Sequence, residues 1–157
     1  MEFKHFANED LMTLLHNAIN HPNKERAKRV KESVYAVWKK RNQQFCSGKT
    51  VKLMQNEGVL SAFRYKVGDG GITSALKRQE ILDHLLEAPI PPLVDREYTK
   101  KWGAPNTQKR KSTLFQTIKS LAAGARNRTN TQAAYSRARN HWEADMSYLK
   151  GVFAQTN

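Results

Sequence analysis

The stretch YTKKWGAPNTQKRKSTLFQTIKSLAAGARNRTNTQAAYSRARNHW, residues 98–142, decides the fold class and the direction of any functional reading. Apolar side chains recur in it at intervals of three and four. Leu114, Phe115, Ile118, Leu121, Ala122 and Ala125 trace the buried edge of a helix rising from Thr107. A turn is expected near residues 128–131. The last helix then carries Ala134, Tyr135, Ala138, Trp142, Met146, Leu149 and Phe153 on one stripe. Two long helices joined by so short a turn predict a C-terminal antiparallel hairpin. The same stretch holds ten Lys or Arg residues and no Asp or Glu.

That sign bias extends to the whole chain. Its 157 residues carry 27 Lys plus Arg against 14 Asp plus Glu, a formal charge of +13. Self-repulsion of this size opposes a compact state, so a polyanionic partner is expected. The one cysteine, Cys46, excludes an internal disulfide and fits a reducing compartment. The opening MEFKHF lacks the apolar core of a secretory signal, and no apolar run nears the roughly 18 residues of a membrane span. The expected setting is the cytoplasm, away from membranes.

Upstream of the hairpin, Asn8 or Asp10 is placed to cap a first helix with Leu11, Leu14, Leu15, Ala18 and Ile19 on one face. Pro22 breaks it. A second helix runs from about Asn23 to Cys46, with Ala27, Val30, Val34, Val37, Trp38 and Phe45 inward. Around that stripe lie Lys24, Arg26, Lys28, Arg29, Lys31, Lys39, Lys40 and Arg41, relieved only by Glu25 and Glu32, a secondary face for phosphates. Residues 49–62 read ambiguously as strand or helical turn. Gly68, Gly70 and Gly71 make a tight turn whose spacing fails the dinucleotide pattern. Thr73 or Ser74 caps a third helix with Leu76, Ile81, Leu82, Leu85 and Leu86 buried. Residues 89–92 form a stiff proline connector, and a short helix spans about 95–102.

The expected fold is therefore mainly α. It is a single compact domain, residues 1–157, of five or six helices packed around the third, fifth and last. Within it, residues 1–48 form an N-terminal helix pair and residues 58–153 a core helical module.

Five pieces, in order, resemble an uncharacterised bacterial helical domain family with no assigned activity. They are GVLSAFRYKVG (58–68), RQEIL (78–82), PP (91–92), Tyr98 with KWG (101–103), and WEADMSYL (142–149). The likeness covers roughly residues 58–150. It implies a small, mainly helical bacterial module and brings no catalytic residues.

Candidate chemistry is sparse. The histidines lack the spacing of zinc ligands. Cys46 has no identifiable base partner. Glu80, Asp83 and Glu87 share one helical face, as a two-metal nuclease would need, and equally serve as the solvent face opposite Ile81 and Leu85. Tyr65, between Arg64 and Lys66, is a candidate for stacking on bases. The most specific feature is the helix start near Thr107. There Lys109, Arg110 and Lys111 join free backbone N–H groups to make an anion site.

The favoured reading is a non-enzymatic protein binding DNA or RNA phosphates, with no cofactor or metal. The contacts assigned are Lys109, Arg110, Lys111, Lys119, Arg126, Arg128, Arg137 and Arg139. The alternative is an interaction or regulatory subunit for an acidic protein partner. A metal-dependent nuclease stands third.

Overall fold

Helical periodicity dominates the chain, and the structure, a computed structural model, is mainly α-helical. It describes residues 3–56, 58–93, 95–126 and 132–155, and of residues 125, 126 and 132–134 the backbone alone. Seven helices form among the described residues, against the five or six expected. The extra one is the single turn Val59–Ala62, in the stretch that periodicity left ambiguous. No helix among them is long and apolar enough to cross a membrane. By contact the chain groups into two compact units, each assembled from two separated segments.

The first unit comprises Met1–Phe63 and Ala88–Gly103. It holds α1 (Asn8–Ile19), α2 (Lys24–Cys46), α3 (Val59–Ala62) and α5 (Arg96–Lys101). Asn23 caps α2, its side chain accepting the Arg26 N–H at 3.0 Å, and Gly48 ends the helix region with φ +89°. Leu11, Met12 and Leu15 of α1 and Val34, Trp38 and Phe45 of α2 are buried, and Trp38 meets Phe63 edge-on at 5.8 Å. The proline connector returns to this unit: Met54 pairs with Leu93, and the Met54 N–H donates to Pro92 O at 2.7 Å. Asp95 caps α5, and the Tyr98 hydroxyl accepts the Val59 N–H at 3.0 Å.

Two expectations fail here for one reason. Asn8 or Asp10 is expected to cap α1, yet the helix begins at Asn8 with Asp10 in its first turn, and the preceding Ala7 makes no side-chain cap. Arg41 was counted in the cationic face, yet it is buried. The Arg41 guanidinium donates to Asn8 Oδ1 at 2.7 Å, to Lys4 O at 3.0 Å and to Phe6 O at 2.6 Å. Asn8 in turn donates to Lys52 O at 2.8 Å. The two side chains satisfy each other and tie down the N-terminal segment, so neither is left for its surface role. Burial lowers the Arg41 pKa from its ordinary value.

The second unit comprises Arg64–Glu87 and Ala104–Asn157 and holds α4 (Ala75–Glu87), α6 (Gln108–Arg126) and α7 (Gln132–Gln155). Ser74 caps α4 through the Lys77 N–H at 3.3 Å, and Thr107 caps α6 through the Arg110 N–H at 3.2 Å. Helices α6 and α7 pack along one another and both touch α4. Ile81, Leu82, Leu85, Leu114, Ile118, Ala138 and Leu149 form the core. Leu76 and Leu121, expected inside, are 74% and 41% exposed. Trp142 is only half-buried. The turn expected at residues 128–131 lies outside the described residues.

Candidate nucleic-acid interface

Each of the eight assigned contacts can be followed to its place. Lys109 and Lys119 are exposed on α6. Lys111 is half-buried, its Nζ 5.8 Å from the centre of the Phe153 ring. Arg137 is exposed on α7 and pairs with Asp69 at 2.8 Å, and Arg139 is half-buried. The Arg126 side chain and the whole of Arg128 lie outside the described residues.

Arg110 is a correction. It is fully buried, and its guanidinium donates to Leu85 O at 2.7 Å near the C-terminal end of α4. Helix-end carbonyls lack intrahelical donors, and a buried cation there satisfies one of them. Arg110 therefore cannot reach a phosphate. The run Lys109-Arg110-Lys111 diverges because consecutive helical residues point about 100° apart.

The outer face of α6 is also less cationic than expected. Ser112, Thr113, Gln116, Thr117 and Ser120 line a shallow groove along it. At about 100° per residue, Lys109, Arg110, Lys111 and Lys119 are spread around α6, and Arg137 and Arg139 point to different sides of α7.

Tyr65 is the second correction. It is 7% exposed, and its hydroxyl donates to Asp145 Oδ2 at 2.6 Å, so its ring cannot stack on a base. Burial, and then the hydrogen bond to Asp145, push its ionisation far above the usual phenol range. Arg78 Nε donates to the same carboxylate at 2.9 Å, and Arg78 Nη1 donates to Ile72 O and Thr73 O, each at 3.0 Å. Arg78 and Asp145 are 2% and 1% exposed. This buried cluster joins the loop after Phe63 to α4 and α7. Its three members come from three of the pieces that carry the family resemblance, and nothing in their spacing along the chain pairs them. The signal available was an Arg and an Asp on otherwise apolar helical faces.

Beside it, the Gly68 N–H donates to His141 Nδ1 at 3.0 Å. Gly68 has φ +76°, and a Cβ there would stand 2.9 Å from Ala138 Cβ, so glycine is required by both conformation and space.

The acidic trio is divided in its contacts. Asp83 accepts the Tyr148 hydroxyl at 2.6 Å, while Glu80 is exposed. Burial and that bond raise the Tyr148 ionisation. Among the described residues no group of three or more His, Cys, Asp or Glu is arranged to hold a metal ion.

The densest exposed cations lie on α2. Lys24, Arg26, Lys28, Arg29, Lys39 and Lys40 are all exposed, and none is paired with a carboxylate among the described residues. The buried face of α2 carries Val34, Trp38, Arg41 and Phe45. This leaves the opposite arc to solvent and to charge. Comparison with protein-family models, curated proteins and solved structures found no match to this chain.

Proposed function

We propose that this protein binds nucleic acid, DNA or RNA, through the phosphate backbone and without catalysis. The observation that carries the reading is the charge excess of +13, expressed as exposed cations without carboxylate partners along α2 and, on α6, at Lys109 and Lys119. Such cations gain most from releasing the counter-ions condensed on a polyphosphate. Backbone contacts position a protein without reading sequence, so no target site is assigned. In this reading α6 and α7 form an antiparallel hairpin, with Arg126 and Arg128 near its turn, and Lys109, Lys119, Arg137 and Arg139 supply further contacts. The protein works in the cytoplasm of a bacterium.

The test is a titration of the full chain with duplex DNA and with single-stranded RNA at several salt concentrations. Binding should weaken with a log–log slope of about −3 or steeper on duplex, as expected for about four phosphates. Absence of binding to either polymer at low salt overturns the reading. Salt-resistant capture of an acidic protein in its place would establish the interaction-subunit alternative. Cleavage that needs magnesium and disappears with Glu80→Gln plus Asp83→Asn would establish the nuclease.

A further inference from the structure

The six exposed cations of α2 are not spread evenly over its free arc. At 100° per residue, Lys24, Lys28 and Lys39 fall within about 60° of one another. Arg29, Lys40 and Arg26 fall within about another 60°. The midpoints of the two groups stand about 130° apart around the helix. Between them runs a crest of Glu25, Glu32, Ala36 and Gln43, all exposed. Val34, Trp38, Arg41 and Phe45 lie opposite that crest and are buried, so α2 offers solvent a ridge with a cationic flank on each side. From Lys24 to Lys40 the ridge is about 24 Å long.

We propose that α2 seats this ridge in the major groove of duplex DNA, each cationic flank meeting one of the two phosphate walls. The inference rests on the nucleic-acid reading above and names its surface and its duplex. The dimensions agree: a helix with its side chains is about 10–12 Å across, and the B-form major groove is about 12 Å wide. The charge distribution selects the occupant. A single strand lying along the helix would bring its phosphates onto the crest, where Glu25 and Glu32 stand. A groove puts phosphates at the flanks and base edges at the crest, where Ala36 and Gln43 fit and where the carboxylates of Glu25 and Glu32 would face cytosine amino groups as acceptors. Double-stranded RNA presents a deep, narrow major groove that does not admit a helix.

Two quadruple variants with the same change in net charge separate this surface from bulk charge. One carries Lys28→Glu, Arg29→Glu, Lys39→Glu and Lys40→Glu. The other carries Lys109→Glu, Lys119→Glu, Arg137→Glu and Arg139→Glu. A third variant, Ala36→Trp, leaves every charge in place and makes the crest too bulky for the groove. Affinities for a duplex DNA, a duplex RNA and a single-stranded DNA of equal length are measured against salt, with helicity followed by circular dichroism. The α2 variant should bind duplex DNA about 100-fold more weakly at low salt, with a slope shallower by about 3 to 4. The second quadruple variant should lose markedly less. Ala36→Trp should weaken duplex DNA binding about tenfold or more and leave single-strand binding unchanged.

Equal losses in the two quadruple variants, or a larger loss in the second, overturn the proposal while the nucleic-acid reading stands. So does duplex DNA affinity unaffected by Ala36→Trp, or tighter binding to single-stranded DNA or duplex RNA. A wild type that binds none of the three polymers overturns the underlying reading itself. If the α2 glutamates unfold the chain, Gln at the same four positions provides the comparison at half the charge change, set against Gln at the four α6 and α7 positions.

Discussion

Arg78 and Asp145 show how a charged residue leaves the surface and becomes part of the interior. Each is almost fully buried, so each depends on the other, with Tyr65 donating to Asp145 and the carbonyls of Ile72 and Thr73 accepting from Arg78. Asp145 and its partner Tyr65 differ in what their loss exposes. Asp145→Ala strands a buried guanidinium and should cost about 3–5 kcal/mol. Tyr65→Phe removes one hydroxyl and leaves the ion pair intact, which should cost about 1–2 kcal/mol. Urea denaturation of both variants checks the order. Equal losses would mean that the phenol, not the ion pair, holds the cluster. The same logic applies to Arg41 and Arg110: both read as surface cations by type, and both are consumed by acceptors inside their units.

At the scale of elements, the loop that carries Gly68 is held against α7 by a hydrogen bond that a proton would break. His141 Nδ1 accepts the Gly68 N–H, so that nitrogen must be unprotonated. Desolvation, the largest cause, and the nearby Arg78 and Arg137 lower the His141 pKa, with Asp145 and Asp69 opposing. Because the folded pKa lies below the unfolded one, the unfolded chain takes up the proton first as pH falls. The contribution of His141 is thus present above about pH 6.5, the ordinary histidine value. It is lost as pH falls below that and through the folded pKa. His141→Asn keeps an acceptor and removes the titration. The stability difference between wild type and His141→Asn should therefore be constant above about pH 7.5 and shift against wild type toward about pH 5.5, no more steeply than about 1.4 kcal/mol per pH unit. A pH-independent difference between the two would place the proton elsewhere.

At the scale of the whole molecule, the uncompensated charge of +13 works against folding in the absence of a partner. Screening should relieve it. Raising chloride from about 20 to about 300 mM shortens the screening length from about 20 to about 6 Å. If that returns about 1 kcal/mol, Tm should rise by about 2–4 °C. A chain whose charge is already balanced by local pairing would show no such rise, which thermal denaturation followed by circular dichroism would reveal.

How much of this was legible beforehand follows from what each signal measures. Apolar spacing reports which side of a helix is inward, so α1, α2, α4, α6 and α7 and most of their inward residues could be read from the chain. Helix starts are local too: Ser74 is one of the two caps expected for α4, and the starts expected near Asn23 and Thr107 fall at the observed caps of α2 and α6. The fate of a polar side chain is not local. Arg41 meets Asn8 across 33 residues, Tyr65 meets Asp145 across 80, and Arg110 meets a carbonyl of α4 across 25. Residue type alone gave Arg41 and Arg110 to phosphates and Tyr65 to a base. Likewise, the count of basic residues is a property of the sequence, but which of them share a face depends on which side of each helix packing has already taken. By itself the sequence determined a helical, strongly cationic chain. Tertiary structure decided which cations remain at the surface, because burial is settled by partners distant along the chain.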